Sequence, residues 1–109
     1  MVTAPIRLAI LGATGSIGRQ ALDVVRGQPD RLRVVALGAN RNVDELRELA
    51  LEFPTARTAL GPNALVALAT DPDADLVLVA TPGVAALRAT IAALEDGKCV
   101  ALANKEVLV

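Results

Sequence analysis

The sequence predicts a doubly wound, all-parallel α/β sheet, and three observations carry that prediction. Short apolar runs alternate with amphipathic stretches in the order βαβα, a weak β, a short α, then βαβ. The apolar runs lack the in-out alternation of a half-solvated sheet, so they read as strands covered by helices on both faces. The first run feeds a glycine-rich turn, Gly12-Ala13-Thr14-Gly15-Ser16-Ile17-Gly18, which opens a helix. Right-handed crossovers between parallel strands then give an open, Rossmann-like sheet whose ligands sit at the carboxyl ends of its strands.

Ile6 to Leu11 is the first strand, apolar except at Arg7. From Ser16 to about Arg26 a helix places Ile17, Ala21, Leu22 and Val25 on one stripe, and Gly27 followed by Pro29 stops it. Leu32 to Leu37 is the second strand, with Gly38 to Asn42 as the loop after it. Asn42 is a good N-cap for a helix carrying Val43, Leu46, Leu49, Ala50 and Phe53, and the acids Asp44, Glu45 and Glu48 stand in its early turns, where the helix dipole favours them. Pro54 breaks that helix. Arg57 to Leu60 is a short third strand, and residues 63–69 make one or two helical turns.

Thr70 to Asp75 is turn chemistry. Its alternating aspartates resemble the start of a calcium loop, yet no glycine or distal glutamate completes it, so they are read as structural and no metal ligand is assigned. Leu76 to Ala80 is the most apolar strand, and Thr81-Pro82-Gly83 forms a second βα turn at its carboxyl end. A helix from Val84 to Asp96 follows, with Leu87, Ile91 and Leu94 as its expected buried face. Cys99 to Ala103 is the last strand, ending in Asn104-Lys105-Glu106.

Composition narrows the function. The 109 residues form one domain, and 53% hydrophobic content is enough for a packed core. A formal charge of −1 gives no field to draw in nucleic acid or anionic lipid, and Phe53, the only aromatic, offers no base-stacking platform. The lone Cys99 can form no intrachain disulfide, and neither an export signal nor a membrane-length apolar run is present. A cytoplasmic protein with no membrane and no nucleic-acid partner is expected.

The glycine turn points to a phosphate ligand. A strand that ends in such a turn and feeds a helix N-terminus exposes several backbone N–H groups in front of the positive end of the helix dipole. Gly12 can take a positive φ, Gly15 lets a pyrophosphate approach the main chain, and Gly18 lets the helix pack closely on the strand. Thr14 and Ser16 add hydroxyl donors. Folds of this kind that prefer NAD usually carry an acid at the end of the second strand; here that region reads Leu37-Gly38-Ala39-Asn40-Arg41-Asn42. An acid would repel a 2′-phosphate, whereas Arg41 can grip one, so NADPH is favoured over NADH. Asn40 suits a left-handed backbone position, and Asn42 can serve as cap and ligand together. At the rim beyond the last strand, Lys105 can offer a positive charge to an anionic substrate and Glu106 can position a ribose or a proton donor. Equally, Asn104 can cap a following helix with Lys105 and Glu106 solvated.

Two separated motifs in the right order raise a family likeness. Gly12 to Gly18 closely resembles the GSTGSIG motif of the 1-deoxy-D-xylulose 5-phosphate reductoisomerase family, and Ala21-Leu22-Asp23-Val24-Val25 resembles the TLDV(V/I) that follows it. Val34 to Leu37 and Asn42-Val43 resemble that family's second strand and its GKN or GRN loop. Leu102-Ala103-Asn104-Lys105-Glu106-Val107-Leu108-Val109 is similar to its LANKESLV.

The resemblance implies the N-terminal cofactor domain, residues 1–109, of an NADPH-dependent oxidoreductase of non-mevalonate isoprenoid precursor synthesis. That enzyme converts 1-deoxy-D-xylulose 5-phosphate to 2-C-methyl-D-erythritol 4-phosphate. Carried over residue by residue, Thr14, Gly15, Ser16 and Ile17 bind the NADPH phosphates, and Asn40, Arg41 and Asn42 bind the 2′-phosphate side. Asn104 and Glu106 contact NADPH again, and Lys105 binds the sugar phosphate. The likeness also implies a homodimer, with Mg²⁺ or Mn²⁺ held in a catalytic domain that would follow Val109; this segment alone holds no catalytic residue and is expected to be inactive.

Departures from the pattern are Ala13 for Ser, Asn40 for Gly, Val107 for Ser, Thr81-Pro82-Gly83 for a glycine–alanine turn, and a much shortened stretch from Thr55 to Asp75. Two other readings fit the glycine turn: the cofactor domain of another GxxGxxG reductase, acting on a semialdehyde or cyclic imine, and a non-catalytic nucleotide-binding module.

Overall fold

The computed structural model describes residues 4–103. Its elements are β1 (Ile6–Leu11), α1 (Ser16–Gly27), β2 (Leu32–Ala39), α2 (Val43–Glu52), β3 (Arg57–Leu60), α3 (Pro62–Ala69), β4 (Leu76–Val79), α4 (Val84–Glu95) and β5 (Cys99–Leu102). All pairings are parallel, in the order β3-β2-β1-β4-β5. The first two crossovers step away from β1 in one direction and the last two in the other, so right-handed connections put α1 and α2 on one face and α3 and α4 on the opposite one.

Each face has its own core. Leu22, Val25, Leu46 and Leu49 of α1 and α2 pack on Leu8, Ile10, Val34 and Leu37. Across the sheet, Leu65, Leu68 and three alanines of α4 pack on Ala9, Leu11, Ala36, Val77 and Val79. Ile10, Leu11, Leu22, Leu37, Leu65, Val77 and Val79 are almost wholly buried, each stabilising the fold by about 1.5–3 kcal/mol relative to exposure.

Four expectations are corrected. On α4 the buried residues are Ala86, Ala89, Thr90 and Ala93, while Leu87, Ile91 and Leu94 are about half exposed, as is Val84. The small side chains let α4 lie close to α3, and that packing overrides the pull of the leucines. Strand β2 runs on through Gly38 and Ala39, because Gly38 pairs with both Leu11 and Ala59 and the Leu65 side chain of α3 sits where a Cβ would be. Ile17 does not join the buried stripe of α1; it is 41% exposed at the end of the helix nearest the glycine turn. Asn40 is not left-handed, since no described residue other than glycine has a positive φ.

The turn aspartates are structural, as expected. Asp71 is buried and pairs with Arg57 at 2.6 Å, Asp73 with the same arginine at 3.1 Å, and Asp75 with Arg7 at 3.0 Å. A buried carboxylate without such a partner would be costly. These pairs close the amino ends of the strands. Cys99 is exposed, and no described helix is long and apolar enough to cross a membrane.

Candidate functional site

At the carboxyl ends of the strands, the order β3-β2-β1-β4-β5 reverses at β1, and three loops meet there. The turn after β1 is built tightly. Gly12 has φ +96°, and a Cβ on it would lie 2.9 Å from the backbone of Ala80 and Thr81. The Gly12 and Ala13 amides both donate to the Gly38 carbonyl at 2.9 Å, and the Gly15 amide donates to the Gly12 carbonyl at 3.2 Å. A methyl on Gly18 would overlap the Gly12 carbonyl oxygen. Gly18 therefore seats α1 on the turn itself rather than on the strand.

Gly15 has a different role. Its missing side chain faces nothing nearer than the Gly12 carbonyl oxygen at 3.5 Å, and as N-cap of α1 it supplies no side-chain hydrogen bond. The first-turn amides of Ser16, Ile17 and Gly18 thus lack a helical acceptor and a cap, with the positive end of the α1 dipole behind them. An anion is the group such a cradle fits.

The loop after β2 forms the second wall. Asn42 caps α2 as expected, its Oδ1 accepting from the Glu45 amide at 3.1 Å. Its Nδ2 donates to Glu45 Oε2 at 3.0 Å, a side-chain bond that braces the cap. The Asn42 oxygen is therefore committed to the cap, leaving one Nδ2 hydrogen and the backbone for any ligand. Glu45 is also gripped by Arg19 of α1, with Nε 2.7 Å from Oε1. That guanidinium holds the Glu45 carboxyl below the usual carboxylate range. Arg41 makes no ion pair among the described residues, so its five donors are uncommitted.

A cleft of about 310 Å³ joins the walls, with Gly12, Thr14 and Gly15 on one side, Asn40, Arg41 and Asn42 on another, and Ala80, Thr81 and Pro82 closing it. The turn after β4 was not among the expected site segments. Its signal was positional: β4 is the strand beside β1, across the point where the order reverses. Asn104, Lys105 and Glu106 lie outside the described residues. The Ala103 amide just before them donates to the Val79 carbonyl at 3.0 Å, which holds the end of β5 beside the end of β4.

A second cleft, of about 490 Å³, lies at the other end of the strands and is lined by Arg7, Arg33 and Arg57 among others. Arg7 and Arg57 are neutralised there by the turn aspartates. Among the described residues no group of three His, Cys, Asp or Glu side chains could hold a metal ion.

A parallel sheet with its crevice at the switch point, floored by an uncapped glycine turn, defines the Rossmann-like α/β class. The sequence pattern of 1-deoxy-D-xylulose 5-phosphate reductoisomerase matches residues 8–60 and 54–109. The chain belongs to the 1-deoxy-D-xylulose 5-phosphate reductoisomerase family.

Two relatives and one solved structure place it further. The reductoisomerase of Leifsonia xyli is 48% identical over 103 residues, covering 94% of this chain and 28% of the relative. That of Thermomicrobium roseum is 43% identical over 118 residues, covering 94% of this chain and 31% of the relative. The Zymomonas mobilis enzyme solved in complex with NADPH superposes with a TM-score of 0.81 at 39% identity, over 95% of this chain and 33% of that one.

The chain thus spans about a third of the length of the relatives it matches. The Thermomicrobium alignment is longer than this 109-residue chain, whereas the Leifsonia alignment is not. The two spans of the family pattern overlap at residues 54–60, around β3. The Thermomicrobium relative therefore carries residues in the aligned region that this chain lacks.

Proposed function

We propose that this chain is the NADPH-binding N-terminal domain, residues 1–109, of a 1-deoxy-D-xylulose 5-phosphate reductoisomerase. The observation that carries the reading is the cleft at the switch point, where uncapped first-turn amides face a loop bearing an unpaired arginine. The free Ser16 and Ile17 amides and the Thr14 hydroxyl hold the diphosphate, which the missing side chain of Gly15 lets approach the main chain, while Asn40, Arg41 and Asn42 hold the 2′-phosphate. Asn104 and Glu106, carried on from β5, contact the cofactor near its nicotinamide, and Lys105 binds the sugar phosphate. Bound NADPH supplies hydride for reducing the aldehyde that forms when the substrate skeleton rearranges. The divalent metal is held by the part of the enzyme beyond this chain. The complete protein works as a cytoplasmic homodimer.

The direct test is titration with both cofactors. Arg41→Ala is expected to weaken NADPH by about tenfold or more, the size of a charge-assisted contact, and to leave NADH nearly unchanged. An equal loss for both would remove the 2′-phosphate role. In the complete enzyme, Lys105→Ala is expected to raise KM for the sugar phosphate at unaltered NADPH affinity; an unmoved KM would remove Lys105 from the substrate site.

A further inference from the structure

Two residues outside the cleft are tied to opposite walls of it. Arg19 stands in the first turn of α1, and its amide donates to the carbonyl of Gly15, which lines one wall. Glu45 stands in the first turn of α2 and is bonded twice to Asn42, which lines the other. Between them the Arg19 guanidinium meets the Glu45 carboxylate through two parallel hydrogen bonds, a fork geometry that fixes orientation as well as distance.

The charges matter more than the strut. Glu45 is an acid one hydrogen bond behind the loop read above as the 2′-phosphate site. Left alone, its charge would oppose a phosphate there, as an acid at the end of the second strand does in folds that prefer NAD. Asp44, beside it, makes no ion pair among the described residues, so Arg19 is the cation that offsets this acidic turn from the α1 side. We propose that Arg19 is a specificity-determining residue, which secures preference for the 2′-phosphorylated cofactor by cancelling the charge of Glu45 across the cleft.

This inference rests on the proposed cofactor reading, so Arg41→Ala is run beside it as a control. Dissociation constants for NADPH and NADH are measured for the wild type, Arg19→Met, Glu45→Gln and the double variant. Gln at 45 keeps the backbone cap and an oxygen to accept from Asn42 Nδ2, while removing the charge. Arg19→Met bares the Glu45 charge and should lower the NADPH-over-NADH preference by about fivefold, the scale of one near-surface charge. Glu45→Gln should keep or raise the preference, and the double variant should restore it. The Arg19→Met defect should also shrink at high salt, because exposed charges are screened beyond a Debye length of about 8 Å at physiological ionic strength and less when salt is added.

A purely structural strut would weaken both cofactors alike in all three variants, and that result overturns the proposal. A fall in preference for Glu45→Gln overturns it as well, and this variant suffices should Arg19→Met fail to fold. If Arg41→Ala lowers the preference and Arg19→Met does not, the inference falls while the cofactor reading stands. If Arg41→Ala leaves it unmoved, both fall.

Discussion

The units β1–α1 and β4–α4 are built to one plan and finished differently. Each is a buried strand, a turn with a positive-φ glycine, and a helix of 12 residues that starts without a side-chain cap. In the first, the turn is locked against its surroundings: Gly12 abuts the backbone of Ala80 and Thr81, Gly18 abuts Gly12, and Leu22 is buried beneath the helix. In the second, a side chain at Gly83 would touch nothing, and the row Val84, Leu87, Ile91 and Leu94 stays exposed while alanines face inward. Glycine in the first turn answers a steric demand; glycine in the second answers a backbone angle alone. Both helices begin with uncapped amides, and the difference is that backbone holds the first turn in one shape, whereas the second is free on its outer side.

The sharpest way to break this contrast is a methyl at each glycine. Gly18→Ala is expected to destabilise by about 3 kcal/mol or more, since the clash is with backbone that cannot step aside, and to abolish NADPH binding. Gly83→Ala should cost less, about 1–3 kcal/mol, the strain of a side chain at positive φ with extended ψ and no clash behind it. Denaturant unfolding of both variants checks this, and equal losses would erase the distinction.

Truncating the leucines asks the same question of the helices. Leu22→Ala should cost about 2–5 kcal/mol through the cavity it leaves, whereas Leu87→Ala should stay within about 0.5 kcal/mol, as for an exposed position. A large loss for Leu87→Ala would mean that the α4 row is covered in the protein under test.

The smallest effect is electrostatic and belongs to both ends of the sheet. The Arg7 guanidinium holds the Asp75 carboxyl below its ordinary value of 3.8, and arginine partners hold Glu45 and Glu52 below 4.5. A carboxyl depressed in the folded state contributes stability that is fully present above its ordinary pKa and disappears as pH falls through the depressed one. Thermal stability should therefore hold between pH 7 and about 5 and decline below about 4.5. Asp75→Asn should give a lower but flatter acid limb, and an acid limb as steep as the wild type's would show that this pair is silent.

Much of this was legible in the residues themselves. The elements follow from short apolar runs separated by Gly, Pro and Asn, and the parallel pairing follows from a helical stretch between each strand and the next. The cap at Asn42 and the positive φ at Gly12 are local demands that a few neighbouring residues satisfy. The family was legible in two motifs, one at each end of the chain.

Other features depended on partners distant in sequence. Periodicity ranks a leucine row above an alanine row, yet only the approach of α3 decides that α4 turns its alanines inward. Gly38 reads as a loop until Leu65, 27 positions later, occupies the space of its missing side chain. The pairing of Arg19 with Glu45 spans 26 positions, and the third wall of the cleft appears only when β4 takes its place beside β1. Local chemistry is written in neighbouring residues, whereas the choice among packings is made by contacts whose cost in chain entropy only the completed fold repays.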